Sequence, residues 1–449
     1  MKIFASIAAG ALISGTVYAD RVLSQAQLKS VVENAASALQ KRYVFEKEAN
    51  EISNKLLSNL KAGHYDKLIQ SELAEQLTED MRSVVDDGHL FATYEKPVVK
   101  PETEKKKEEI DPKTSWWLHQ ESLKARNYGW EQYKMLPGNV GYVENTGFLG
   151  EQEAFERCSL IMNFLSKCDA IIIDLRKNGG GDGRLGHLLA SYFFRAGNNR
   201  WLLSNENRSN NTYYQEWSYT YVPGNKMPDT PLYILTSGGT FSAAEAFAYA
   251  MQAHKRAVTV GEDTGGGAHS GSMKDCGHHI KVFVPSGRVS SPVTNSNWEA
   301  VGVKAELPCP AEKAVEVALV DFFKKKKEDA NKYVAASAAW YLDYFANYDK
   351  HAYPSIDLLK NCTGSYESGR TVMVKEGILY YVTPGGTKLR LAYLKDDVFY
   401  AVGENVTQQY GDLRITFNGF KEGKVDTLSM AVKDPGPKPP NCYDVKRVR

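Results

Sequence analysis

Between Leu23 and Tyr94 apolar residues recur three and four apart, as in LSQAQLKSVVENAASALQKRYV and SELAEQLTEDMRSVV, with polar residues between them. That spacing predicts a small helical domain over residues 20–95. The pattern stops at VVKPETEKKKEEIDPK, where charge and proline leave almost nothing to bury, so residues 96–114 read as a solvated linker. Beyond it apolar runs of strand length alternate with helical ones: NVGYVEN, the helix EQEAFERCSLIMNFLSK, DAIIIDL, the helix GRLGHLLASYFF, PLYILTS, the helix AAEAFAYAMQAH, and AVTVGE. Continuous apolar strands separated by helices belong to parallel sheets covered on both faces. Residues 115–320 are therefore expected to form an α/β unit whose strand ends deliver loops to one side. Helices follow Pro310, among them AVEVALVDFF and ASAAWYLDYFA, with residues 321–354 as a helical connection and the intervening KKKKEDANK as a solvated face. From about Ile356 the period becomes two, in TVMVKEGILYYVT, TKLRLAYL, DDVFYAV, DLRITFNG and KVDTLSMAV. Residues 355–435 thus predict a small antiparallel barrel or sandwich, and 436–449 a proline-rich tail.

The first residues, MKIFASIAAGALISGTVYAD, combine one lysine, a short apolar run and small residues before Asp20, the pattern of a signal peptide over residues 1–19. This predicts a secreted or periplasmic protein with no stable membrane insertion after cleavage. Cleavage removes Lys2 and no acid, leaving 54 basic and 54 acidic side chains. A net charge near zero argues against a nucleic-acid partner; an oligomer is compatible with the composition. An exported chain permits disulfides among Cys158, Cys168, Cys276, Cys309, Cys362 and Cys442. Cys276 with Cys309 and Cys362 with Cys442 fall within single expected domains, but six unpaired thiols are equally compatible.

Chemistry concentrates in four places. In GGTFSAAEAFAY, residues 238–249, Ser242 and Glu245 match a capping box, yet the hydroxyl at a helix start is also placed to act as a nucleophile. In DLRKNGGGDG, residues 174–183, a buried strand runs into three glycines, which let backbone N–H groups approach developing negative charge. Neither a dinucleotide fingerprint nor a P-loop lysine is present, which excludes the usual nucleotide sites. In VVDDGHL an Asp-Gly turn presents His89, and in SNWEAVGV Glu299 could orient an imidazole. His269, in GGGAHSGS, is the rival base, whereas His254, beside Lys255 and Arg256, reads as exposed.

The tracts DAIIIDLRKNGGG, LYILTSGGTFSAAEAFAYAMQAHKRAVTVGEDTGGGAH and NWEAVGVKAE resemble the catalytic domain of the carboxyl-terminal processing peptidases, over roughly residues 70–320. The branch they look most like contains the tricorn protease core and the interphotoreceptor retinoid-binding protein. The resemblance implies an α/β fold with a crotonase-like (ClpP-like) core. It gives Ser242 the role of nucleophile and makes the backbone N–H groups of Gly181, with Gly180 beside it, and Ala243 the oxyanion hole. Where processing peptidases carry a lysine base, this chain has Gly265-Gly266-Gly267, so a serine-lysine dyad is not expected. The tricorn-like pattern instead implies His89 as base and Glu299 as its orienting carboxylate, although Gly88 stands where that pattern has a serine. No PDZ module fits between Tyr94 and the core, and the C-terminal β module resembles lipocalin-like barrels appended to secreted peptidases.

The function implied is a serine peptidase acting on peptide or protein substrates, with a Ser242-His89-Glu299 triad and no metal or organic cofactor. A non-catalytic binding protein for a hydrophobic ligand and an esterase are the alternatives. Retention of serine, histidine, glutamate and the glycine run together weighs against a pure carrier.

Overall fold

The computed structural model describes residues 20–96, 111–347, 354–402, 413–421, 424–433 and 440–448. The expected signal peptide and most of the expected linker lie outside these residues. Among the described residues no helix is long and apolar enough to cross a membrane.

The chain opens with helices α1 (Gln25–Arg42), α2 (Glu46–Lys61) and α3 (Gln70–Arg82), followed by the short strand β1 (Phe91–Tyr94). Ser24 starts α1 through a reciprocal capping box, its Oγ accepting from the Gln27 amide while Gln27 Oε1 accepts from its own. The apolar stripes of the three helices, Val31, Val32, Leu39, Ile52, Leu56, Leu73 and Leu77 among them, converge on Ile280, Val282 and Val284 of a strand far along the chain. Each such side chain contributes roughly 1.5–3 kcal/mol on burial. Part of the helical region's core is therefore lent by the central unit.

The central unit begins with α4 (Pro112–Ala125), β2 (Trp130–Leu136), β3 (Val140–Asn145), α5 (Gln152–Leu165), β4 (Ala170–Asp174) and α6 (Gly183–Ser191). It continues with β5 (Trp201–Asn207), β6 (Thr212–Trp217), β7 (Leu232–Thr236), α7 (Ala243–Ala253) and β8 (Val258–Gly261). Strands β9 (His269–Gly277), β10 (Ile280–Ser290) and β11 (Leu307–Pro308) complete it. One sheet runs β11-β8-β7-β4-β3-β2, parallel except for the edge strand β2. Alternation explains the run DAIIIDL: Ile171 and Ile173 face the layer of α5, α6 and α7, whereas Ile172 faces the opposite layer. A second sheet, β1-β10-β5-β6 with β9 also on β10, is absent from the sequence expectations. The reason is that β6 and most of β9 are exposed and carry no apolar alternation.

Helices α8 (Ala314–Lys326) and α9 (Lys332–Asn347) cover the second face of the parallel sheet. After α10 (Ile356–Cys362) come β12 (Gly364–Tyr366), β13 (Arg370–Lys375), β14 (Ile378–Val382), β15 (Lys388–Lys395) and β16 (Val398–Val402), then β17 (Leu413–Lys421), β18 (Lys424–Val432) and β19 (Asn441–Lys446). They pair in sequence order, and an antiparallel bridge from Tyr366 to Arg447 joins the two ends, closing the meander into a barrel. β19 lies within the expected proline-rich tail; it pairs with β18 and buries Val445, which outweighs its mostly exposed character. The barrel docks through the buried Arg414, which donates to Asp343 (2.8 Å) and the Trp340 carbonyl (2.6 Å) and lies 3.7 Å from the Trp340 ring. All six cysteines are free, so neither Cys276–Cys309 nor Cys362–Cys442 forms a disulfide.

One buried side chain ties α7 to the loop after β8. Glu245 has no exposed surface and makes no ion pair among the described residues. Its carboxylate accepts from the amides of Ser242 (2.8 Å), Gly266 (2.7 Å) and Gly267 (2.8 Å) and from the Thr264 hydroxyl (2.5 Å). Four donors at the positive end of a helix replace the water that a carboxylate would otherwise need. Glu245→Ala strands all four, and we expect a loss of at least about 3 kcal/mol in chemical denaturation. Glu245→Gln, which keeps one acceptor oxygen, should fall between it and wild type.

Candidate active site

The carboxyl ends of β4 and β7 carry the loops that build the site. After β7, the turn SGGT is pinned to the β4 loop: Ser237 Oγ donates to the Arg176 carbonyl (2.6 Å), Thr240 Oγ1 to that of Leu175 (2.8 Å), and the Phe241 amide to that of Asn178 (3.0 Å). The chain then turns sharply at Ser242, whose φ of 54° and ψ of −120° are strained for a residue with a Cβ, before entering α7. Ser242 contributes only its amide to the capping arrangement, through Glu245. Among the described residues its hydroxyl makes no hydrogen bond.

The glycine run answers this geometry. Gly180 lies so close to the turn that a Cβ there would be 2.8 Å from Ser242 Cβ, and at Gly181 one would be 2.0 Å from the Phe148 carbonyl oxygen. Both have positive φ, 104° and 127°. The Gly180 amide donates to Asn178 Oδ1 (2.8 Å), so it is committed to the loop and is not available to a ligand. The amides of Gly181 and Ala243 make no hydrogen bond among the described residues.

Ser242 opens onto a pocket of about 270 Å³ with apolar walls that include Leu203, Ala246, Phe247, Val289 and Trp298. Its polar lining includes His187 and Glu216, with His187 Nε2 2.7 Å from Glu216 Oε2. His269 also lines this pocket; His89 does not.

His89 stands one layer behind, its ring 5.1 Å from that of Phe241 and 5.9 Å from that of Phe283. Its Nδ1 is 3.6 Å from Glu299 Oε2 and 4.0 Å from Asp87 Oδ1, too far for hydrogen bonds. His269 Nδ1 is 2.8 Å from Asp87 Oδ2 and 3.6 Å from Glu299 Oε2. The structure thus gathers His89, Glu299 and His269 into one cluster and places Ser242, Gly181 and Ala243 beside the pocket. No hydrogen bond joins Ser242 to either imidazole.

Glu299 is held by the Ala268 amide, which donates to Oε2 (2.5 Å), while Trp298 Nε1 donates to the Gly267 carbonyl (3.0 Å) and fixes the loop. Sequence reasoning missed Asp87, although it stands two residues before His89 in the VVDDGHL turn. Asp87 is buried and accepts from the His89 amide (2.9 Å) and the Tyr43 hydroxyl (3.0 Å) as well as facing His269. Burial works to raise its carboxyl pKa, but the hydrogen bond and charge of His269, with the His89 amide and the Tyr43 hydroxyl, hold it below the ordinary 3.8. Burial, followed by the charge and hydrogen bond of Asp87, pushes the Tyr43 phenol far up, so it stays a donor. The expectation of an exposed His254 is corrected: it is half-buried, with Nε2 3.1 Å from the Trp201 carbonyl, and burial lowers its pKa.

Comparison with known proteins finds both family-domain matches and structural neighbours. Residues 139–308 match the domain model of Peptidase family S41, and residues 19–125 match the N-terminal domain of Peptidase S41 in eukaryotic IRBP. Among solved structures, a photosystem II D1 C-terminal processing protease is 15% identical, with 65% of this chain and 94% of that chain covered at a TM-score of 0.40. A putative peptidase from Parabacteroides merdae is 17% identical, with 66% and 93% covered at 0.45. The tricorn protease is 13% identical, with 70% of this chain and 37% of that chain covered at 0.39. With the peptidase domain and the N-terminal domain matched in order, this chain carries a peptidase family S41 domain behind an S41 N-terminal domain and is a serine-type peptidase.

Proposed function

We propose that the protein is an exported peptidase, secreted or periplasmic, that cleaves peptide bonds through Ser242, His89 and Glu299 on a crotonase-like core. The observation that carries this reading is the Ser242 turn: a strained residue aims an unbonded hydroxyl into a pocket beside the two unengaged amides of Gly181 and Ala243. Backbone strain of this kind is retained where a side chain must be presented rather than packed. In the proposed reaction His89 takes the Ser242 proton through Nε2 as the oxygen attacks the scissile carbonyl. Glu299 then stabilises the imidazolium from the Nδ1 side, and the Gly181 and Ala243 amides receive the oxyanion. The amine leaves with the proton from His89, and water releases the acyl group by the reverse sequence. The 3.6 Å gap between His89 and Glu299 closes with a small side-chain rotation, as is common in sites without substrate. The positive end of α7 favours negative charge at Ser242.

A second reading has one specific observation behind it: His269 lines the same pocket as Ser242 and makes the shorter carboxylate contact, with Asp87. It exchanges the base and leaves the reaction class unchanged.

A fluorophosphonate probe should label the wild type at Ser242 and leave Ser242→Ala unlabelled. His89→Ala should lower kcat for a peptide substrate by about 10³–10⁴-fold. A folded wild type that neither labels nor cleaves would falsify the proposed mechanism, and an active His89→Ala with an inactive His269→Ala moves the base to His269.

Asp87 sets an acid limit. Because its folded pKa lies below the ordinary 3.8, its contribution to stability is fully present above that value and is lost as pH falls through the lower folded value. Denaturation midpoints measured from pH 7 downward should therefore fall less steeply below about pH 4 in Asp87→Asn than in wild type. At pH 7 the variant should be the less stable of the two.

A further inference from the structure

The cluster behind the pocket has more donor atoms than the proposed reaction uses. One atom each of Asp87, His89 and Glu299 lies within 4.8 Å of the other two. His89 Nδ1 and Glu299 Oε1 are both buried with no hydrogen-bond partner. The side chains are 12% exposed for His89, 8% for Glu299 and 1% for Asp87, and no Lys or Arg pairs with either carboxylate among the described residues. Two buried carboxylates facing His89 Nδ1 form a donor set whose other basic neighbour is His269, 2.8 Å from Asp87 Oδ2 and 3.6 Å from Glu299 Oε2.

We propose that this cluster is an inhibitory Zn²⁺ site, formed by His89 Nδ1, Glu299 and Asp87 and distinct from any cofactor role; it rests on the reading of His89 as the base. Imidazole nitrogen with carboxylate oxygen is a zinc donor set, and three protein ligands leave the fourth tetrahedral position to water. Bonds of about 2.1 Å put tetrahedral ligands about 3.4 Å apart. His89 Nδ1 is 3.6 Å from Glu299 Oε2 and 4.0 Å from Asp87 Oδ1, and the three ligand atoms lie within 4.8 Å of one another, so binding requires the set to draw together. The outer contacts are built as well. Tyr43 and His269 hold Asp87 Oδ2, and the Ala268 amide holds Glu299 Oε2.

Inhibition follows from proton balance. Neutral imidazole carries one proton, so a metal on Nδ1 leaves that proton on Nε2. Nε2 becomes a donor and has no lone pair with which to accept the proton of Ser242, while Glu299 is drawn to the metal. No proton is lost, and removal of the metal restores the original tautomer.

Full-length Ser242→Ala allows binding to be measured without turnover. Calorimetric titration with ZnCl₂ should give one site, weakened at least about 10-fold by adding Asp87→Asn or Glu299→Gln. Co²⁺ in the same protein should show the visible bands of a four-coordinate ion, lost in both double variants. In wild type, saturating Zn²⁺ should lower kcat for peptide hydrolysis at least 10-fold, and EDTA should restore it. Zn²⁺ binding that survives both substitutions overturns the site, as does the absence of binding to a folded chain. Binding at the site with unchanged hydrolysis overturns the inhibitory role. Failure of the peptidase mechanism is read separately, from probe labelling and the His89→Ala rate.

Discussion

Glu245 is a carboxylate with no cation beside it, and its four donors come from the two segments that the site must hold in register. One is the first turn of α7, where Ser242 is strained; the other is the loop from Thr264 to Gly267, which passes beneath His89. A buried carboxylate cannot release its donors without leaving an unsolvated charge, so the two segments move together or not at all. The glycines of that loop serve the same packing. A Cβ at Gly267 would meet the Phe241 ring at 2.3 Å and His89 Cε1 at 2.7 Å. The strained serine, the histidine and the glycine loop are thus one packed unit whose internal charge is solvated by its own backbone.

The second coupling joins the helical region to the core. Part of its hydrophobic core is supplied by β10, and β1 extends the sheet by pairing with that strand. Tyr43 from the end of α1 and Asp87 from the turn before β1 reach His269 at the start of β9. His89 therefore arrives at the cluster on a segment fixed by apolar packing, by strand pairing and by a buried hydrogen-bond chain. This arrangement explains how residues separated by more than two hundred positions share one site while the linker between their segments carries no apolar pattern of its own.

Much of this was legible in the sequence where one physical requirement dominates a stretch. DAIIIDL is apolar on both faces because its strand is covered on both faces, and two of the three glycines after it, Gly180 and Gly181, stand where Cβ atoms would strike Ser242 and Phe148. Legibility failed where the determining contact is distant. β6 and most of β9 are exposed to solvent, so their patterns carry little periodicity. β19 forms because β18 offers it an edge. Asp87, in a turn that any Asp-Gly pair could make, is marked only by partners from elsewhere in the chain.

By itself the sequence determined the parallel α/β core, the helical and antiparallel modules flanking it and the glycine run, because local periodicity and backbone requirements are written residue by residue, whereas it was the family resemblance that singled out the serine, histidine and glutamate. Whether the Ser242 hydroxyl caps α7 or faces a pocket was decided only by tertiary structure. The local pattern fits a capping box, and it is the docking of the Thr264–Gly267 loop onto Glu245, with the glycine run against the turn, that leaves the hydroxyl unbonded. Tertiary structure likewise decided that Asp87 and His269 join His89 and Glu299. A buried charge cluster is defined by what surrounds it, and those surroundings come from three distant segments of the chain.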